Sequence, residues 1–207
     1  MRRLRRGGDG RSVILHRVDG PATIHLIVGL PGAGKTTRAK ELETSESALR
    51  LTPDDWFIAI FPADDSTRWR SPERVSHRDL IEGKLVQAGM RAAQLGIDVV
   101  FDFGFWGRDE RSSLRWIAAT LGVRAQVVYL PITYEEQRRR ITRRYEGEPR
   151  QFQISDAELV QWRAQFQAPD DEELHGTDPP PVPPEYSTWS HWASDRWPSL
   201  PDQYGRA

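Results

Sequence analysis

Residues 29–36 read Gly-Leu-Pro-Gly-Ala-Gly-Lys-Thr, a complete loop of the form G-x-x-x-x-G-K-[ST]. It constrains the fold because such a loop works only between a strand and a helix. The flanks comply: an apolar run (Ile24, Leu26, Ile27, Val28) precedes it, and a helix-forming stretch from Thr37 to Glu43 follows. The glycines let the backbone turn tightly with its N–H groups facing inward, which makes a nest for phosphate oxygens. The next helix adds unpaired N–H groups and the positive end of its dipole. Gly29, Gly32, Ala33, Gly34, Lys35, Thr36 and Thr37 are the expected phosphate contacts. Lys35, one of three lysines with Lys40 and Lys84, reaches the β- and γ-phosphates, and the Thr36 hydroxyl can ligate Mg²⁺. The motif predicts binding of a nucleoside triphosphate.

Around this loop, from 21 to about 150, short apolar runs alternate with helical patterns, the signature of an α/β fold with a parallel sheet. The expected strands are 23–28, 49–52, 97–101 and 125–130, the third closed by Asp102. A segment from Trp56 to Phe61 reads as a short helix or turn closed by Pro62. Ser71 is the expected N-cap of a helix that opens on Pro72 and stops at Gly96. Asp109 is placed to cap the next helix, and further helices are expected over 133–145 and 155–166. The predicted organisation is a basic flexible arm (1–20), one domain (21–170) and a Pro/Trp-rich extension (171–207). The run Pro179-Pro180-Pro181-Val182-Pro183-Pro184 excludes helix and central strand there. Trp189, Trp192 and Trp197 follow, and their apolar area predicts that this irregular tail lies back on the domain; an aromatic face for a partner is the alternative.

Composition narrows the function classes. A net charge of −1 gives no general drive toward nucleic acid or membranes. Cysteine is absent, which removes disulfides, thiolate metal sites and a cysteine nucleophile. No apolar run approaches a transmembrane length. The opening Met1-Arg2-Arg3-Leu4-Arg5-Arg6 is followed by Gly7-Gly8-Asp9-Gly10 rather than an apolar segment, so a signal peptide is not expected. A cytoplasmic protein is the simplest expectation.

In a parallel sheet with right-handed crossovers the C-terminal strand ends share one edge, and ligands bind there. Asp54, Asp55 and Asp102 therefore come to the edge that carries the phosphate loop. Asp102 after Val99-Val100 has the form of a Mg²⁺-holding carboxylate, or of a strand-end cap. Asp54 is the candidate general base, with Asp55 the competitor; either can instead cap the Trp56 segment. Glu136, Arg140 and Arg144 fall at i, i+4 spacing on one helix face. That face can close as a lid over the nucleotide, form a solvated Glu–Arg surface, or bind nucleic acid. Trp56, Phe57, Phe103, Phe105 and Trp106 can line an acceptor pocket or belong to the core, and Arg108 and Arg111 can pair with substrate phosphate or nearby carboxylates. His77 is expected on a helix face without catalytic work.

These motifs in order, with Leu-Thr-Pro-Asp-Asp-Trp at 51–56 and Val-Val-Phe-Asp-Phe-Gly-Phe-Trp-Gly-Arg-Asp-Glu-Arg at 99–111, resemble the zeta-toxin and chloramphenicol-phosphotransferase-like small P-loop kinases. The kinase domain of phage-type polynucleotide kinase belongs to the same broad set. The resemblance covers about 23–170. It implies a three-layer P-loop kinase fold with a parallel sheet of four or five strands and a helical lid. It also implies ATP and Mg²⁺ as cofactors and a hydroxyl acceptor on a small molecule: an antibiotic, nucleoside or sugar derivative. By that similarity Lys35, Asp54, Arg140 and Arg144 are catalytic, Asp54 as the base and the arginines as lid residues; Thr36 and Asp102 hold the metal. On the reading of the residues above, Asp55, Trp56, Phe57, Phe105, Trp106 and Arg108 are candidates to face the acceptor. Polynucleotide kinases carry an arginine three residues after the base, where this chain has Phe57. That departure points away from a nucleic-acid 5′-hydroxyl, the alternative acceptor. A non-catalytic nucleotide-dependent switch is the second alternative. No fifth strand is recognisable after the lid.

Overall fold

Strand β1 (Thr23–Val28) buries nearly every side chain, because in a central parallel strand both faces are covered by helices. The computed structural model describes residues 20–61, 72–147 and 154–202. The expected basic arm up to residue 19, Pro62 and Ser71 lie outside the described residues. The other strands are β2 (Leu49–Leu51), β3 (Val99–Gly104) and β4 (Arg124–Tyr129), all parallel in the order β2-β3-β1-β4. Among the described residues there is no fifth strand. The free edge of β4 is flanked instead by Phe166, whose ring stacks on Tyr129 at 6.1 Å.

The helices are α1 (Lys35–Ser45), α2 (Pro53–Ile60), α3 (Pro72–Gln94), α4 (Arg108–Thr120), α5 (Tyr134–Gly147), α6 (Asp156–Gln165), α7 (Asp171–Leu174) and α8 (Trp189–Arg196). One sheet face packs α1 through Ile27, Ala39, Leu42 and Val100. The other carries the larger core, in which Leu26, Phe101, Met90, Leu114 and Ile117 meet, and it includes Trp197 from the C-terminal segment. No helix among the described residues is long and apolar enough to cross a membrane.

Several boundaries differ from the sequence reading, each for a local reason. Strand β2 stops at Leu51 because Pro53 opens α2, with Thr52 as its extended N-cap. Strand β3 starts two residues later than expected: Ile97 is exposed, and the Asp98 carboxylate accepts the Thr23 N–H at 2.6 Å. It also runs on through Asp102, which lies inside the strand rather than closing it. Helix α4 is capped by Gly107, whose N–H donates to Glu110 Oε2 at 3.1 Å; Asp109 sits in the first turn instead of capping it. The C-terminal extension is less irregular than expected, since it contains α7 and α8 on either side of the proline run. Trp189 and Trp197 are buried there, and Trp192 packs beside them edge-to-face.

Candidate active site

The strand order places a crevice between β1 and β3, since the chain leaves β1 toward β2 and leaves β3 toward β4. The phosphate loop fills the β1 side of it. Gly32 and Gly34 have φ of +84° and +91°, left-handed values that a side chain would strain. Gly34 is the N-cap of α1, and its carbonyl accepts the Arg38 N–H at 3.0 Å. No acidic residue occupies the first turn of α1, so the positive end of the helix, with Thr36 and Thr37 exposed, is open to an anion. The loop is tied to β3 by the Gly29 N–H, which donates to Gly104 O at 3.3 Å.

Lys35 is where the charges of the site meet. Its Nζ donates to Leu30 O at 3.2 Å. Burial pushes the ammonium below its ordinary value, against the pull of Asp102 and then Asp54; Arg78 and Arg144 add to the lowering. A buried, underneutralised ammonium of this kind gains most from an incoming phosphate. Asp102 is buried, hydrogen-bonds with Thr36, and leaves its Oδ2 without a hydrogen-bond partner. Burial raises its carboxyl above the ordinary value, against the Thr36 hydrogen bond and Lys35. An orphaned carboxylate oxygen beside a hydroxyl is a hard donor pair that fits Mg²⁺. Among the described residues no three His, Cys, Asp or Glu side chains cluster as a metal-ligand set.

The two aspartates of α2 have different neighbours. Asp54 is exposed and accepts from Arg78 Nη1 at 2.5 Å, while Arg78 Nε holds Glu82 Oε1 at 2.8 Å. Burial works against the Arg78 charge, but Glu82 and Asp54 outweigh it and hold the guanidinium above the ordinary arginine value. Asp55 turns toward β2, 3.6 Å from Arg50, which is bonded to Glu43. On the lid side Arg140 Nη1 donates to Gly32 O at 3.1 Å and its Nε to Glu136 Oε1 at 2.5 Å. Gln137, fully buried, donates to Pro31 O at 3.1 Å and accepts from Arg163 Nη1 at 2.9 Å. The Glu136, Arg140 and Arg144 face of α5 therefore lies over the loop. A cavity of about 230 Å³ opens beside it, with Leu30, Tyr129, Phe166 and Arg163 in its wall.

The expected acceptor wall is only partly assembled. Trp56 is half-exposed, and Trp106 is half-buried with its ring 6.0 Å from Trp162. Phe57 and Phe105, in contrast, are core residues: only 3% and 4% of their surface is accessible, and Phe105 stacks on Phe103. Arg108 pairs with Asp170 at 2.8 Å, and the fully buried Arg111 grips Glu173 through both oxygens at 2.7 and 2.8 Å. Both arginines thus serve the C-terminal extension. His77 stacks on Phe61 at 4.4 Å. Sequence reasoning missed Arg78, Glu82, Gln137 and Arg163. Helical spacing (Arg78 with Glu82, Gln137 with Arg140) was the available signal.

A profile of the AAA domain family matches residues 24–169. The chain belongs to that family. No curated protein sequence matches it. Solved structures similar to this AAA domain fix its fold. A putative kinase from Chloroflexus aurantiacus J-10-fl superposes with a TM-score of 0.58 at 18% identity, over 73% of this chain and 80% of that one. A chain of the Pnkp1/Rnl/Hen1 RNA repair complex gives 0.55 at 18% identity over 81% of this chain. The AAA domain chain spans about half of that partner's length, 50%. A gluconokinase from Sinorhizobium meliloti 1021 gives 0.50 at 16% identity, over 74% and 79% of the two chains. The AAA domain thus has a P-loop kinase-like α/β fold.

Proposed function

We propose that the protein is an ATP- and Mg²⁺-dependent kinase that transfers the γ-phosphate to a hydroxyl of a small molecule, such as an antibiotic, nucleoside or sugar derivative. One observation carries the reading: the open N-terminus of α1 with Lys35 shares its crevice with Asp102, whose Oδ2 is unpartnered, and Arg140 reaches the same loop from α5 through Gly32 O. When bound, ATP supplies the phosphoryl group and Mg²⁺ neutralises its charge. The loop amides and Lys35 hold the phosphates, and Thr36 with the open Oδ2 of Asp102 offers the metal its protein ligands. Arg140 and Arg144 add positive charge as negative charge develops. Asp54 takes the proton from the acceptor hydroxyl, which then attacks phosphorus as ADP leaves. Its Arg78 contact favours it over the equally exposed Asp55, which Arg50 draws toward β2. The aromatic wall and Arg163 of the cavity beside Leu30 suit the nucleobase.

The acceptor is uncharged on this reading, since Arg78 is already matched by two carboxylates. The test is product analysis with labelled ATP and a panel of hydroxyl metabolites, with Asp54→Asn beside the wild type. The expected result is retained ATP affinity and loss of most transfer in the variant. Full transfer by Asp54→Asn removes Asp54 from the mechanism. Affinity for oligonucleotides that falls steeply with salt would move the acceptor to a nucleic-acid end, and ATP binding without any product would leave a nucleotide-dependent switch.

A further inference from the structure

The C-terminal extension lies beyond the residues that match the family, yet its buried end reaches the candidate base in three contacts. Trp197, with no exposed surface, donates its Nε1–H to Glu82 Oε2 at 3.1 Å. Glu82 is itself buried and accepts Arg78 Nε at 2.8 Å through its other oxygen. Arg78 then reaches Asp54 at 2.5 Å. Arg196, the last residue of α8, reinforces the same point. Its Nη1 pairs with Asp79 at 2.6 Å and its Nη2 lies 3.7 Å from Glu82, while its Nε holds Glu110 at 2.9 Å. The second oxygen of Glu110 receives the Gly107 N–H, next to Trp106. A single arginine of the extension thus braces α3 and the turn that starts α4.

The seat for this segment is built into α3. A Cβ on Gly83 would meet Leu200 N at 3.0 Å and Trp197 Cβ at 3.1 Å, besides the Ser199 hydroxyl. Glycine inside a helix costs about 1 kcal/mol relative to alanine, so its presence beside Glu82 needs a reason, and the close approach of backbone 197–200 is that reason. A guanidinium on a long side chain is otherwise free to sample several rotamers, and fixing one costs entropy. A carboxylate clamped from behind removes that freedom. Glu82 is such a carboxylate, gripped by Trp197 and faced by Arg196.

We infer that residues 189–200 form a positioning element for Asp54: the extension clamps Glu82, Glu82 fixes Arg78, and Arg78 aims the Asp54 carboxylate at the acceptor. The inference rests on the kinase reading for its catalytic consequence, but the clamp can be measured without it. Trp197, Glu82 and Arg78 are positioning residues; none is asked to touch substrate.

The experiment uses the full chain in four forms: wild type, Trp197→Phe, Gly83→Ala and Trp189→Phe. Trp197→Phe keeps a ring but loses the donor to Glu82, and Gly83→Ala lifts the segment while favouring the helix. Trp189→Phe is the control: a buried ring at the other end of α8, whose Nε1–H goes to Pro180 O and not to Glu82. The first readout is the ¹⁵N relaxation of the Arg78 Nε–Hε group, assigned by its loss in Arg78→Lys. Restrained in the wild type, it should become mobile in Trp197→Phe and Gly83→Ala and stay restrained in Trp189→Phe. The second readout is phosphotransfer to whichever panel metabolite the wild type labels. There kcat should fall on the order of ten- to a hundredfold in Trp197→Phe with KM for ATP unchanged, and Trp197→Phe should add no further loss in an Asp54→Asn background. An Arg78 signal unmoved by both variants, or moved equally by Trp189→Phe, overturns the clamp. A wild type that labels no acceptor counts against the kinase reading alone, since the Arg78 signal still decides the clamp.

Discussion

Arg111 and Glu173 are 62 residues apart and form the most completely buried ion pair described, with 0% and 2% of their side chains exposed. Both carboxylate oxygens are used, and the remaining guanidinium nitrogen donates to Phe105 O at 3.1 Å and Trp106 O at 3.3 Å. The perturbation to make is Glu173→Ala. It leaves a buried guanidinium with two carbonyls and no counter-charge. Removing one partner of a buried pair costs about 3–5 kcal/mol, and in a chain of this size each kcal/mol shifts the midpoint by about 2–4 °C, so Tm should fall by roughly 6–20 °C. Urea unfolding followed by circular dichroism gives the free energy, and a thermal scan gives the shift. The double variant Arg111→Met/Glu173→Met should recover most of the loss, because both charges leave together. A Glu173→Ala protein within about 1 kcal/mol of wild type would refute the burial and with it the view that α7, beyond the family match, is integral to the fold.

Three further outcomes follow from the site. Asp102→Asn should remove most of the Mg²⁺ dependence of ATP affinity, read by titration calorimetry with and without the metal, because on the proposed reading the unpartnered Oδ2 is the oxygen offered to the metal. Gly34→Ala forces a Cβ into φ of +91°, where it would meet only Arg140 Nη1 at an ordinary contact of 3.9 Å, so it should cost about 1–2 kcal/mol of stability from backbone strain and weaken ATP binding, checked by urea unfolding and nucleotide titration. Arg140→Ala should leave stability within about 0.5 kcal/mol, since that side chain is half-exposed, while transfer falls at least about tenfold in single-turnover assays.

What was legible in the sequence was local. The phosphate loop is specified by eight consecutive residues, and its left-handed glycines, open helix end and Lys35 stand as the motif requires. The strand order brought Asp102 and the α2 aspartates to that edge. The sequence ranks Asp54 before Asp55 as the base, but their different surroundings were not legible, because consecutive helical residues point about 100° apart. Their partners, Arg78 and Arg50, come from α3 and β2. The end of β3 was misplaced because a charge reads as a strand terminus; Asp102 is tolerated inside the strand since Thr36 and Lys35 meet it there. Phe57 and Phe105 looked like pocket walls because apolar chemistry beside a motif is the same on a core face as on a ligand face. The tryptophans predicted a packed extension, but no spacing rule connects Trp197 to Glu82 across 115 residues.

Arg78 bears on the identity of the acceptor. Phe57 occupies the position where polynucleotide kinases carry an arginine, and on sequence alone that argued against an anionic substrate. The fold does bring a guanidinium to Asp54 from α3. Arg78 faces Asp54 at 2.5 Å and Glu82 at 2.8 Å, so two carboxylates already answer its one positive charge. An acceptor phosphate approaching it would meet the Asp54 carboxylate at the same time, and like charges at contact distance repel. Arg140, on the α5 side, pairs with one carboxylate, Glu136, and lies against the loop through Gly32 O. On the proposed kinase reading, the loop and α5 side would take the triphosphate, and the doubly matched Arg78 makes the Asp54 side suit a neutral hydroxyl.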